Sequence, residues 1–221
     1  ILKIKMRLNI LIGGKAGQGI NAVSQITAKT LIKQGYFVFN YRDYPSIIRG
    51  GHNFNVLSIS DKKISSHESR MDGIIALDEN TKKIHKAELK KEGFIIDYNE
   101  FKHLGINLNV ALSGALVKIL GLDKNAFFNE VKKSIGKSAL KAAQQGYDKH
   151  EQIYKLKKLN NKLDYMNGSQ AVAQGAINSR IDLYFAYPMT PATGVLHELA
   201  AHLLQESYCL LYTSPSPRDL S

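Results

Sequence analysis

A glycine-rich turn between a buried strand and a helix constrains this chain more than any other feature. Residues 3–12 alternate and then run apolar, which is typical of a buried strand, and GGKAGQG follows at 13–19. Residues 20–32 then carry apolar side chains at helical spacing and end at Gly35. A strand, a glycine turn and a helix in this order allow backbone N–H groups at the helix N-terminus to hold a phosphate.

The spacing of these glycines departs from the common nucleotide-binding motifs. Gly14, Gly17 and Gly19 are spaced G-x-x-G-x-G, and Lys15 precedes the second glycine instead of ending a Walker A loop. A nicotinamide or nucleoside triphosphate site is therefore poorly supported. A ligand loop and a plain tight turn between strand and helix both stay open.

The chain up to residue 150 alternates between strands and helices. Apolar strands are predicted at 36–40, 53–60, 73–77 and 94–97, with a short partner strand around Ile64, and helices at 79–90, 110–120, 125–135 and 138–145. Helices between apolar strands indicate an α/β domain of Rossmann-like layers with a mainly parallel sheet over 1–150. The charged, Asn-rich stretch 151–165 is predicted to be a linker that is helical in part.

A second unit opens as helix, strand and helix over 166–208. Its strand ends at Tyr187-Pro188, and Thr190-Pro191 then suits the N-cap and first position of a helix. This places the Thr190 hydroxyl at the carboxyl end of a strand, where α/β folds bind ligands. Simple capping also explains Thr190 and Pro191, but it explains the rigid Tyr187-Pro188 less well. So few residues cannot bury their own apolar faces, so we expect a fragment of a domain.

Composition excludes several classes of function. The net charge of +11 raises the question of nucleic acid, but the lysines are scattered over helical positions without interleaved aromatic residues. We expect a lysine-rich solvated surface that attracts an anionic cofactor, and no nucleic-acid partner. No run of eighteen apolar residues occurs, so no membrane partner is expected. The single cysteine, Cys209, excludes an internal disulfide and a cysteine-ligated cluster on this chain and favours a cytoplasmic protein.

Two further segments carry residues that suit binding chemistry. RDYPSIIRGGHN at 42–53 has arginines, a proline and paired glycines, which suit an anion-facing or interface loop, although an ordinary connecting loop fits as well. HELAAH at 197–202 resembles a zinc-protease helix, but its histidines are five positions apart. That spacing turns the second about 140° away from the first, so the sequence predicts no metal site there.

Taken together, these segments resemble the 2-oxoacid:ferredoxin (acceptor) oxidoreductases. GGKAGQGI, YPSIIRGGHNFNVLSIS, DGIIALDEN and the SALKAAQQGY helix are similar to their γ subunit or domain, and MNGSQAVAQGAINSRIDLYFAYPMTPATGVLHELA is similar to the opening of the pyrimidine-binding domain of their α subunit. The order γ then α is that of the fused subunit α, and the resemblance covers residues 7–206. Ser169-Gln170, where the family more often has Asn-Glu, and Lys15 in the glycine loop depart from the pattern.

The resemblance implies a chemistry for the chain. Family members decarboxylate a 2-oxoacid on thiamine diphosphate, transfer the acyl group to coenzyme A and pass electrons through iron–sulfur clusters to ferredoxin. Thr190 matches the threonine that hydrogen-bonds the substrate, and Tyr187 and Pro188 would form a wall of that pocket. The expected residues for coenzyme A or for an interdomain surface are Gly17, Gln18, Gly19, Arg49, Gly50 and Gly51.

The resemblance also implies what other chains would supply. The diphosphate and Mg²⁺ ligands would come from a β subunit, the [4Fe-4S] ligands from a partner chain, and the carboxylate that protonates the aminopyrimidine from further along the α domain. The chain alone is expected to be inactive. The fused order favours 2-oxoglutarate as the substrate. The alternative is a stand-alone γ-like module that docks or binds without catalysis.

The last stretch, CLLYTSPSPRDLS at 209–221, fits none of these patterns. Ser-Pro-Ser-Pro cannot continue the preceding helix, and CLLYTSPSPRD matches an in-frame translation of a sequencing-library adapter. We expect a non-native read-through tail that packs against nothing. The predicted organisation is therefore a γ domain at 1–150, a linker at 151–165, a fragment of an α domain at 166–208 and this tail.

Overall fold

The computed structural model describes residues 6–44, 51–187, 189–202 and 209–211, the last three as backbone only. The chain divides into two compact units, Ile1–Asp164 and Tyr165–Ser221. Each unit is described by itself.

The first unit is built on a five-stranded sheet. Its strands are β1 (Arg7–Lys15), β2 (Phe37–Asp43), β3 (His52–Ser60), β4 (Met71–Ala76) and β5 (Leu89–Asp97). They lie in the order β2-β3-β1-β4-β5. β4 is parallel to both of its neighbours, β1 and β5, whereas β3 is antiparallel to both β1 and β2.

The α/β fold class is confirmed. The sheet was expected to be mainly parallel, but only two of its four strand pairs are parallel. β2 and β3 pair directly, with Phe37 opposite Ser60 and Asp43 opposite Phe54, and β3 then lies between β2 and β1. Alternation of apolar residues predicts a strand but not its direction, so the sequence could not show this insertion. The short strand predicted around Ile64 is wrong, because residues 63–68 have no strand.

Five α-helices pack around this sheet. They are α1 (Ile20–Lys33), α2 (Glu79–His85), α3 (Leu108–Leu120), α4 (Lys124–Ser134) and α5 (Leu140–Lys149), with 3₁₀ turns at 86–88, 98–100, 102–107 and 137–139. α3 is the central helix, since nearly all of its side chains are buried. α5 lies close against it because Gly146 faces Ala111, and a Cβ on Gly146 would lie 2.6 Å from the Ala111 carbonyl carbon.

The stretch Lys102–Leu120 is long and apolar enough to cross a membrane by composition, with a mean hydropathy of 1.4. Gly105, at φ 54° and ψ −120°, interrupts it, so the continuous helix is only the 13 residues of α3. A helix of that length is about 20 Å long, against a bilayer core of about 30 Å. Together with its burial, this makes α3 a core helix.

The segment after α5 runs along the first unit without regular structure. Ile153 donates its backbone N–H to the Ile119 carbonyl at 3.0 Å, and Leu159 donates to the Gln34 carbonyl at 2.8 Å. Leu156 is buried among these contacts. Residues 151–164 therefore pack against the ends of α3 and α1. They contain no helix, whereas a partly helical linker was predicted. The predicted domain boundaries stay a prediction.

The second unit has the predicted order of helix, strand and helix. It consists of α6 (Gly168–Asn178), β6 (Leu183–Phe185), α7 (Thr193–His202) and β7 (Cys209–Leu211). The predicted cap at Thr190 is wrong: a turn closed by the Ala192 N–H and the Met189 carbonyl, 3.0 Å apart, precedes α7. The expectation that the tail packs against nothing is also wrong for residues 209–211, since β7 pairs in parallel with β6. Residues 212–221 lie outside the described part.

Candidate functional site

The glycine turn forms a closed loop between β1 and α1. Gly17 and Gly19 have φ angles of 93° and 88°, in the left-handed region that favours glycine. The Lys15 N–H donates to the Gln18 Oε1 at 2.7 Å, and the Gln18 N–H donates to the Lys15 carbonyl at 3.1 Å. The loop is therefore held in one conformation by its own residues.

A cleft of about 680 Å³ lies beside this loop. β1, β4 and β5 run in parallel and end at Lys15, Ala76 and Asp97, and the cleft lies where these strands end. In α/β sheets this edge is where ligands bind. We call it the carboxyl-end cleft; it is lined by Lys15, Gly17, Gln18, Leu77, Asp78, Glu79, Asn80, Lys83, Tyr98, Gly105, Ile106, Leu108 and Asn109.

Each carboxylate of this cleft has a partner at one oxygen, while the Asp78 Oδ2 has none among the described residues. Asp78 caps α2, because its Oδ1 accepts from the Thr81 N–H at 2.9 Å and from the Thr81 hydroxyl at 2.8 Å. Glu79 lies 2.7 Å from the Lys82 ammonium. Lys82 also contacts Asp97, and the hydrogen bond to Asp97 is the main reason why the pKa of Lys82 is raised.

The positive groups of the cleft are available to a ligand. Within the described residues, neither Lys15 nor Lys83 has an ion pair. α1 has no acidic residue in its first turn, and its first internal hydrogen bond runs from the Val23 N–H to the Gly19 carbonyl at 3.1 Å. In the part of the chain that the structure describes, the N–H groups that precede Val23 in the helix have no hydrogen-bond partner, and they lie at the positive end of its dipole. They belong to residues that do not line this cleft, so the cleft favours an anion through its two lysines.

A second cleft of about 470 Å³ lies on the other side of the glycine loop. It is lined by Gly17, Gly19, Ile20, Asn21, Arg42, Asp43, Tyr44, Asn53 and Asn55. The Asn55 amide is buried and donates to the Asn21 Oδ1 at 3.0 Å and to the Ser24 hydroxyl at 2.8 Å. This side of the loop is a polar, amide-rich surface.

The structure brings part of the predicted coenzyme A set together. Gly17 lines both clefts, Gln18 lines the carboxyl-end cleft and Gly19 lines the second. The Gly51 carbonyl accepts from the Ala16 N–H at 3.3 Å, so it lies against the glycine loop. Arg49 and Gly50 lie outside the described residues.

The predicted catalytic residue, Thr190, and the predicted pocket wall, Tyr187 and Pro188, belong to the second unit. Tyr187 is 69% exposed, and its carbonyl accepts from the Met189 N–H at 2.7 Å. Thr190 follows in the same turn with an exposed side chain. Pro188 between them lies outside the described residues. The turn thus presents a phenol ring and a hydroxyl group at its surface.

Among the residues of the carboxyl-end cleft that sequence reasoning missed are Asp78, Glu79, Lys83 and Asn109. A signal for the first two was present, because Leu77-Asp78 directly follows a buried strand and an aspartate there suits an N-cap. No local signal marks Asn109. A Cβ on Gly19 would lie 3.1 Å from the Asn109 Cγ, and this contact joins two helices far apart in sequence.

The first unit is thus an α/β domain with an anion-favouring cleft beside its glycine loop. The sequence pattern of the pyruvate ferredoxin/flavodoxin oxidoreductase family matches residues 9–107. This stretch contains most of β1, all of β2 to β5, the glycine loop and most of the cleft. The resemblance found in the sequence is therefore confirmed over this stretch.

Curated relatives extend the likeness beyond this domain. The chain is 24% identical to a 2-oxoacid:ferredoxin oxidoreductase subunit alpha from Sulfolobus sp, over 89% of this chain and 42% of the relative. It is 28% identical to 2-oxoacid:ferredoxin oxidoreductase 2, subunit alpha, from Aeropyrum pernix, over 62% of this chain and 21% of the relative. The chain therefore spans at most about two fifths of the length of these relatives.

Solved structures show the same fold. 2-Oxoglutarate:ferredoxin oxidoreductase from Magnetococcus marinus, solved with 2-oxoglutarate, coenzyme A and succinyl-CoA bound, matches with a TM-score of 0.78 and 21% identity, over 94% of this chain and 43% of that one. The γ subunit of a keto/oxoacid ferredoxin oxidoreductase from Geobacter sulfurreducens PCA matches with a TM-score of 0.56 and 23% identity, over 65% of this chain and 96% of that one. These matches confirm the α/β fold.

Proposed function

We propose that this chain is the γ domain and the opening of the α domain of a 2-oxoacid:ferredoxin oxidoreductase. The reaction converts a 2-oxoacid and coenzyme A to acyl-CoA, CO₂ and a proton, and passes two electrons to ferredoxin. The likeness to the M. marinus enzyme over 94% of the chain carries the proposal, because it includes both units in one order. That enzyme's bound 2-oxoglutarate favours the same substrate here, and we propose a cytoplasmic location.

We assign the carboxyl-end cleft to coenzyme A. The molecule carries its charge on phosphates, which suit the Lys15 and Lys83 ammonium groups that line the cleft. The volume of about 680 Å³ is in the usual range of ligand pockets. Gly17 and Gln18 would lie along the ligand, and Arg49, Gly50 and Gly51 at the neighbouring loop.

We assign Thr190 and Tyr187 to the substrate side of the reaction. The exposed Thr190 hydroxyl can donate a hydrogen bond to a carboxylate or carbonyl oxygen of the 2-oxoacid, while Tyr187 with Pro188 forms a wall that orients it. Thiamine diphosphate, when bound, supplies the electron sink for the departing CO₂. The side chains of one exposed turn can line such a cofactor but cannot hold it, so we place the diphosphate and Mg²⁺ ligands on the β subunit and the [4Fe-4S] ligands on a partner chain.

The first test uses the complete subunit α assembled with its β subunit. The rate of viologen reduction is measured with coenzyme A and each of 2-oxoglutarate, pyruvate and a branched-chain 2-oxoacid. Thr190→Val should lower kcat by about 10²-fold, as expected for a lost hydrogen bond to the reacting group. Thr193→Val is the matched control and should retain activity, because the Thr193 hydroxyl is buried and has no hydrogen-bond partner among the residues that the structure describes. Full activity of Thr190→Val would remove Thr190 from the site.

The coenzyme A cleft has a separate test. Lys83→Ala should raise the KM for coenzyme A about fivefold without changing the KM for the 2-oxoacid, because an exposed charge pair contributes about 1 kcal/mol. Lys86→Ala is the control, since Lys86 is exposed nearby but does not line the cleft. An unchanged KM for coenzyme A in both variants would place the ligand elsewhere.

One observation favours the docking module as a second candidate. The first unit matches nearly all of a free-standing γ subunit, so it could exist without catalysis. The same assay separates the two candidates. If the complete complex fails to reduce viologen with every 2-oxoacid tested, docking is favoured over catalysis.

A further inference from the structure

Two histidines meet behind the carboxyl-end cleft. His52 begins β3 and His85 ends α2, and their Nε2 atoms lie 2.8 Å apart. His85 is 3% exposed, and the Phe54 ring packs edge-on against it with the centroids 4.7 Å apart. Gly13 makes room for this pair, since a Cβ there would lie 3.3 Å from the His52 Cε1. The pair joins the helix that lines the cleft to the sheet.

The surroundings of the two rings determine where their hydrogens lie. The His85 Nδ1 lies 3.1 Å from the Glu88 Oε2, and an ionised carboxylate can only accept, so His85 carries its hydrogen on Nδ1. The Nε2 of neutral His85 is then bare, and the hydrogen between the rings belongs to His52. His52 is left with a bare Nδ1, which is buried and has no hydrogen-bond partner within the described residues.

We propose that His52 and His85 form an acid-sensitive latch that fixes α2, one wall of the carboxyl-end cleft, to β3. A further proton on the His85 Nε2 would make two N–H groups face each other and remove the hydrogen bond. A further proton on the His52 Nδ1 would place a charge on a half-buried ring that has no acceptor there. Either route weakens the attachment of α2, whereas the neutral pair keeps it.

Several charged groups face the pair from the elements around it. Glu88 lies against His85, Lys15 is opposite His52 in the β1–β3 register, and the carboxylates that act on His52 belong to Asp78 and Asp43. The two aspartates favour a proton on His52. Burial and then His85 oppose it, and they dominate, so the pKa of His52 is lowered from its ordinary value of 6.5.

The sign of the effect follows from this direction. An unfolded chain takes up the His52 proton near pH 6.5, while the folded chain resists it. The latch therefore contributes its full stability above that pH, and the contribution is lost as the pH falls from there through the lower pKa of the folded state.

The hydrogen positions can be tested by nitrogen NMR of the imidazole rings in the full chain. The hydrogen on the His85 ring should be found on Nδ1 and the hydrogen between the rings on the His52 Nε2. Glu88→Gln should change the His85 signal, since an amide can also donate to the ring. A His85 hydrogen on Nε2 in the unchanged chain would overturn the arrangement.

The latch itself can be tested by hydrogen exchange of the α2 amides, corrected for intrinsic rates. Between about pH 7.5 and about pH 5, the unchanged chain should lose protection several-fold in α2. His52→Gln, which cannot titrate, should abolish this pH dependence, and His103→Gln at an exposed site should leave it intact. If His52→Gln does not fold, Glu88→Gln is used instead. This variant should shift the pH at which the α2 amides lose their protection. A pH-independent α2 in the unchanged chain, or the same dependence in His52→Gln, would overturn the proposal.

Discussion

The two units of this chain bury very different amounts of apolar surface. In the first, β4 is buried along its whole length and α3 along most of its own. Among the described residues of the second, Ala173, Leu196 and Leu199 are the buried apolar side chains. Phe185 and Met189 of the second unit are instead 68% and 65% exposed.

This difference separates stability from the proposed chemistry. Because burial of apolar surface dominates folding, the first unit should unfold as one cooperative body, while the elements of the second should open locally at much lower cost. The proposed coenzyme A cleft lies in the well-packed unit. The proposed substrate residue Thr190 lies in the other, on a turn with few contacts of its own.

The largest change in stability is expected when one glycine in a helix of each unit is replaced by alanine. Gly146→Ala should destabilise the first unit by about 3 kcal/mol, because the new Cβ overlaps the Ala111 backbone of α3 and the core must shift. Gly175→Ala should stabilise α6 by about 1 kcal/mol, because nothing lies within 4 Å of its Cβ position and alanine favours a helix. Denaturant unfolding measures the first effect, and hydrogen exchange in α6 measures the second. Equal effects of the two substitutions would show that the units are packed alike.

The next effect concerns a buried carboxylate of the first unit. Glu130 is 3% exposed at its side chain and is bound by Lys29 at 3.2 Å and Lys33 at 2.9 Å. Ser134 adds a hydrogen bond at 3.0 Å. Burial raises the pKa of Glu130, but the bonds from Lys33, Ser134 and Lys29 outweigh it, and the pKa is lowered from 4.5.

Glu130→Gln should therefore cost about 2 kcal/mol near neutral pH, the range for a hydrogen bond to a charged group. A lowered carboxylate pKa stabilises the fold above pH 4.5, and this contribution is lost as the pH falls through the folded value. Unfolding curves of the unchanged chain and of the variant should thus converge in acid. Glu79→Gln is the control. The Glu79 carboxylate is half-exposed in its ion pair with Lys82, so its replacement should change the free energy of unfolding little. Curves that stay parallel down to strong acid would refute the role of the Glu130 charge.

The sequence predicted most elements of both units but little of how they meet. β1, the glycine loop and α1 were evident, because an apolar run, left-handed glycines and helical spacing are local patterns. The insertion of β3 between β2 and β1 was not, since the pairing partner of a strand depends on the whole sheet. Likewise, α7 was expected to begin at Thr190, but a backbone turn closed at Ala192 precedes it.

The candidate site shows the same division. Gly17 and Gln18 were predicted because they belong to a local motif, and the structure places them on the carboxyl-end cleft. Asn109 and Lys83 come from helices whose position is set by packing against the sheet. The His52–His85 contact joins the start of β3 to the end of α2. The residues next to either histidine in the sequence give no signal that the two side chains meet.

The smallest change in stability is expected at two helix N-caps of the same kind, one in each unit. The Asp123 Oδ1 accepts from the Ala126 N–H at 2.7 Å at the start of α4, and the Asn167 Oδ1 accepts from the Gln170 N–H at 2.9 Å at the start of α6. Replacing either by alanine should cost about 1 kcal/mol, and serine should restore most of it. In the first unit the loss should lower the free energy of global unfolding, because α4 opens only with the core. In the second it should appear only as faster exchange of the α6 amides, because little else holds that helix; a fall in global stability from Asn167→Ala would show that both units unfold together.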